Sequence, residues 1–147
     1  MKLRALPPDL YHEVLDLVTR IAQPCANPID NVDESVASEA LEALRALYER
    51  HESSGNGDPF LTESLADFVP DDTEAIRLYR LALVQSASFG GEPTHTKRFG
   101  LADRLFAANF AIEAREQLAM ARKEATEAGD DEAVREIDEM ARECADL

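Results

Sequence analysis

Apolar residues recur along this chain at intervals of three and four, the period of a helix that buries one face. The first stripe is Leu10, Val14, Leu17, Val18 and Ile21. Pro8 and Asp9 suit its opening turn, where proline needs no N–H partner and an acid meets the positive end of the helix dipole. Pro24 ends this helix, and the segment 24–33, with Pro28 and several Asn and Asp residues, reads as a loop. Asp33 or Ser35 can cap a second helix with Val36, Ala40, Leu41, Leu44, Leu47 and Tyr48 on its apolar face, running out in the turn 51–57. Asp58 and Pro59 open a short third helix, with Leu61, Leu65 and Phe68 inward and Pro70 as its stop. Asp71 or Asp72 caps a fourth, in which Ile76, Tyr79, Ala82 and Leu83 repeat. Gly90 and Gly91 are placed to end it by taking the left-handed cap conformation. A fifth helix starts at Pro93 or Thr94 and runs to about Asn109; a sixth spans about Ala111 to Ala128, closed by Gly129. Asp130 opens a seventh, with Val134, Ile137, Met140, Ala141 and Cys144 on its buried face. No segment alternates apolar and polar residues as a half-buried strand does, so the pattern predicts an all-α chain forming a single domain over 1–147.

The stretch from Leu101 to Gly129 indicates how such helices meet. Ala102, Ala114 and Ala121 are small enough to let two helices approach, while Leu101, Leu105 and Leu118 fill the seam between them. The unit recurs: a slide of 39 places puts Glu74 on Glu113, Ala75 on Ala114, Ala82 on Ala121, Gly90 on Gly129 and Ala102 on Ala141. A slide of 35 places puts Glu39 on Glu74, Ala40 on Ala75, Arg45 on Arg80 and Gly55 on Gly90. This order of small and large residues resembles the tetratricopeptide helix pair, over residues 38–147. Arg98 departs from it, standing where the first helix of the family's pair usually carries a large apolar residue. The same recurrence is open to an irregular α-bundle, since helices use Ala and Leu wherever they pack.

The resemblance implies a stack of antiparallel helix pairs, with the seventh helix as a C-terminal cap whose outer face must be polar. Residues 130–147 fit that role, with eight acids and two arginines. It also implies that the first helix of each pair lines a groove that reads a ligand. With Ala102 as the register mark, the groove positions are Thr96, Phe99, Asp103 and Phe106 on the fifth helix. They are Phe60, Glu63 and Asp67 on the third and, by the 39-place slide, Arg135, Asp138 and Arg142 on the seventh. Phe60, Phe99 and Phe106 are either interface anchors or packing between repeats. Lys97, Arg98 and Arg104 are too few for the basic groove with which some tetratricopeptides clamp a terminal carboxylate.

Charge narrows the partner. Fifteen basic and thirty acidic side chains leave a formal net charge of −15. That repels phosphate backbones and anionic lipid, which argues against nucleic acid and membranes; it attracts a basic protein surface, or serves solubility alone. Cys25 and Cys144 show no metal-binding spacing, and His12, His51 and His95 sit on separate elements, so no metal or cofactor is expected. No nucleophile has an identifiable base nearby in the sequence, and the expectation is a protein without catalytic residues. No apolar run is long enough to cross a membrane, and Pro7, Pro8 and Asp9 interrupt any leader-like core, which points to the cytoplasm. The function expected is an acidic inhibitor or immunity-type protein that binds a basic protein. The alternative is a general tetratricopeptide adaptor or chaperone-like scaffold holding peptides in its groove.

Overall fold

A computed structural model describes residues 2–3, 7–22 and 32–147. Among these the helices are α1 (Pro8–Ala22), α2 (Val32–Ser53), α3 (Pro59–Phe68), α4 (Asp72–Ser86), α5 (His95–Ala107), α6 (Ala111–Ala128) and α7 (Asp131–Glu143). The chain is all-α with seven helices among the described residues, and each helix packs on the next in sequence. The expected loop over 24–33, which contains Cys25, falls almost wholly outside the described residues; α2 already begins at Val32, just before the Asp33 expected as its cap.

Side-chain oxygens start the helices at several predicted places. Asp58 accepts from the amides of Phe60 (2.8 Å) and Leu61 (3.2 Å). Asp71 does the same for Thr73 and Glu74, and Asp130 for Ala133. These bonds satisfy amides that have no partner within the helix. Gly129 closes α6 in the left-handed conformation at φ 71°, where a side chain would be strained. A further boundary differs from the expectation. α4 stops at Ser86, short of Gly90 and Gly91, and Phe89–Gly90 (β2) pairs in parallel with Lys2–Leu3 (β1). Helical spacing carries no signal for a two-residue pairing between segments so far apart.

Polar bonds give the helix directions. Thr62 donates to Gln85 (2.7 Å) and Tyr79 to Asp67, so α3 and α4 run antiparallel. Thr94 and Arg98 reach Glu124 (2.8 Å each), and Arg98 also reaches Gln117 (2.9 Å), which sets α5 against α6 in the same way. Those bonds also account for a cation at a place where an apolar residue was expected. Corresponding helices of successive pairs are joined by a second set. Arg45 bonds Glu74, Gln85 donates to Glu52 (2.6 Å), Arg80 to Glu113 (2.6 Å) and Thr96 to Glu63 (2.7 Å). The partners in these four bonds lie 29, 33, 33 and 33 residues apart, so they link one helix pair to the next.

The core runs continuously from Leu10, Val14 and Leu17 of α1 to Ile137 of α7. Ala102, Ala114 and Ala121 are fully buried and Leu118 nearly so, as their spacing predicts. Val36, expected on the buried face of α2, is 40% exposed.

Candidate functional site

Helices α3, α5 and α7 each turn one stripe of side chains toward a groove of about 490 Å³. From α3 come Glu63 and Asp67, four residues apart and therefore on one face. From α5 come Thr96, Phe99, Gly100, Asp103 and Arg104, and from α7 Ala133, Glu136 and Ile137. Tyr79 reaches the floor from α4 because Gly100 leaves room for it. A β-carbon at position 100 would lie 2.4 Å from Tyr79 Cζ, well inside van der Waals contact. Carboxylates and apolar side chains thus alternate around one depression.

The cations near this groove are already engaged. Lys97 is completely buried, with Nζ 2.8 Å from Glu63 Oε2 and 2.7 Å from Glu92 Oε1; it also donates to the Pro93 carbonyl (2.7 Å). Arg104 pairs with Asp72 (2.9 Å) and donates to the Val69 carbonyl (2.8 Å), satisfying a backbone oxygen at the end of α3. His95 is buried, its Nε2 2.8 Å from Asp130 Oδ2. The Ala133 amide, and after it His95, hold the Asp130 carboxyl below its ordinary range.

Asp67, Asp103 and Glu136 form no ion pair with any described residue. Asp67 opens to the groove, yet protein crowds its carboxylate enough that loss of water raises its pKa to about 6. Glu63 pushes in the same direction, while the Tyr79 hydroxyl, Arg104 and Lys97 oppose. Burial, then the charge of Asp67, pushes the Tyr79 hydroxyl up in turn.

Five of the ten residues predicted for the groove line it: Glu63, Asp67, Thr96, Phe99 and Asp103. Phe60 is half-buried against Tyr11 of α1, with ring centroids 5.4 Å apart, and lies outside the depression. Phe106 is 7% exposed and belongs to the core. It borders a separate recess of about 210 Å³ lined mainly from α6 and α7. Asp138 borders that recess too, bonded to Arg122 (2.8 Å), which holds its carboxyl below the usual range. Arg135 and Arg142 are exposed and line neither. The misplacement on α7 is one of register. Ala133, Glu136 and Ile137 stand to Thr96, Phe99 and Gly100 at a shift of 37, not 39. Two residues along a helix turn a side chain through about 200°, onto the opposite face. Glu136, Tyr79, Gly100 and the buried Lys97 were missed, and a shift of 37 would have found the first.

Among the described residues no group of three or more His, Cys, Asp or Glu side chains is arranged to hold a metal ion. No described helix is long and apolar enough to cross a membrane. Comparison with protein-family models, with curated proteins and with solved structures found no match.

Proposed function

We propose that this chain is a non-catalytic protein-interaction module of tetratricopeptide-like build, an acidic inhibitor or immunity-type protein that holds a basic partner protein against the α3–α5–α7 groove. The observation that carries the reading is a set of carboxylates that form no ion pair with any described residue, Asp67, Asp103 and Glu136, beside Phe99 in one depression. Clustered charge beside a low-dielectric wall steers an oppositely charged partner, and the apolar side chains hold it once docked. A net charge of −15 adds long-range attraction for the same partner. The tetratricopeptide reading is supported by the Arg45–Glu74 and Arg80–Glu113 bonds between successive second helices, and by the buried alanines at the close crossings.

A pull-down from the native cell followed by stopped-flow kinetics tests this. The expected partner is a basic protein whose association slows steeply as salt rises. Asp103→Lys combined with Glu136→Lys should slow association at low salt by about tenfold or more, while Glu116→Lys on α6, outside the groove, should change it little. A neutral or acidic partner, or equal rates in both variants, would remove the groove from the account.

A further inference from the structure

The groove's chemistry narrows what part of a basic partner it takes. Its volume of about 490 Å³ suits one long side chain and its immediate neighbours rather than a whole helix. Resident cations do not compete for it, since Lys97 is sealed between Glu63 and Glu92 and Arg104 is spent on Asp72 and the end of α3. Tyr79 donates to Oδ1 of Asp67, and Oδ2 receives no hydrogen bond from a described residue. On α5, Phe99 and Asp103 stand one turn apart, which puts an aromatic ring beside a carboxylate. Carboxylates from two helices, with an aromatic ring between them in sequence register, match a planar cation that donates along its edges and stacks on its face.

Building on the basic-partner reading above, we infer that the groove seats one arginine side chain of the partner, its guanidinium shared by Asp67 and Asp103 and lying against Phe99. A lysine ammonium uses this arrangement less fully, because it is a point charge without a fork or a flat face. Glu63 on its own helix, Tyr79 on α4, and Lys97 and Arg104 on α5 act on Asp67, while Asp72, His95, Asp103 and Glu136 line the same groove. Asp67 is held as an acid with a pKa of about 6. A guanidinium arriving beside it favours the ionised form, so binding strengthens as pH rises through that range.

The test is an amide NMR titration with three short end-capped peptides that differ only at the central residue, arginine, lysine or citrulline, and carry no other charge. Arginine should shift Gly100, Asp103 and Glu136 saturably, lysine should bind more weakly, and citrulline should lose about tenfold or more. Asp67→Asn and Asp103→Asn should each weaken the arginine peptide by about tenfold, with thermal melts reporting that both variants fold. Asp67→Asn should also flatten the rise in affinity between about pH 5 and 7. Equal binding of citrulline, or shifts confined to the outer face of α7, would overturn the arginine seat while leaving a basic partner possible. A pH dependence that survives in Asp67→Asn would move the titrating group elsewhere and overturn the assignment to Asp67. Loss of the basic-partner reading itself would show differently, as salt-independent association of the recovered partner.

Discussion

Lys97 is the costliest side chain to bury. Its charge is tolerated because Glu63 and Glu92 meet it at 2.8 and 2.7 Å. Removing one side of a buried ion pair leaves the other without compensation, which costs about 3–5 kcal/mol. Lys97→Met should therefore lower the free energy of unfolding by roughly that amount in urea titrations; a loss below about 1 kcal/mol would mean that the two carboxylates take up protons at little cost. Asp67 behaves in the opposite sense. A carboxyl whose pKa rises on folding contributes its stability fully below the ordinary carboxylate range and loses it as pH climbs through the folded value, here about 6. Asp67→Asn should then melt above the parent chain near about pH 7.5, with the gap closing toward about pH 4. Asparagine keeps an acceptor for the Tyr79 hydroxyl, so the difference reads the charge alone. A carboxylate that weakens the fold at neutral pH is what a binding site retains at the expense of stability.

Among the elements, α7 depends most on a single contact. Ile137 is its only fully buried side chain, 2% exposed, while Ala133, Val134 and Met140 are half-covered. Ile137→Ala should cost about 2–5 kcal/mol by deleting buried methyl groups and leaving a cavity. The loss should be local first. Amides of α7 should exchange faster than those of α3 to α6 in hydrogen-exchange measurements, because few apolar contacts hold the helix. Uniform loss of protection across all helices would show that α7 folds as one unit with the rest. Since α7 supplies one wall of the groove, this variant should also weaken whatever binds there.

Over the whole molecule the charge is uneven. Residues 130–147 carry eight acids against two arginines, whereas arginines on α4 and α5 are tied to acids of neighbouring helices, Arg80 to Glu113 and Arg104 to Asp72. A net charge of −15 on a chain of 147 residues pushes the compact state apart. Raising NaCl from roughly 10 mM to roughly 200 mM screens charges more than about 10 Å apart and should raise the melting temperature by several degrees. A melting temperature that falls with salt would instead mean that the bonds joining the helix pairs outweigh the repulsion.

Local chemistry was readable from the chain. Helical spacing, Asp caps and Gly129 placed seven helices, because each depends on neighbours within a few residues. Small residues at 102, 114 and 121 marked positions that the packed helices bury completely. The recurrence of Arg45 at Arg80 and of Glu74 at Glu113 held more than a register, because these residues bond one helix pair to the next. What the chain could not disclose depends on how distant segments meet. The connection over 87–94 is long and the one over 129–130 short, so one slide could not serve both second and first helices, and Asp138 was set in the groove where Glu136 stands. Phe106, open in the sequence to either an anchor or a packing role, lies in the core. Lys97, weighed in the sequence only as one of too few cations for a basic groove, is enclosed by Glu63 and by Glu92 from the connection before α5. Spacing settles which face of a helix is apolar, but which helix covers that face, and what charge waits there, is settled only when the helices pack.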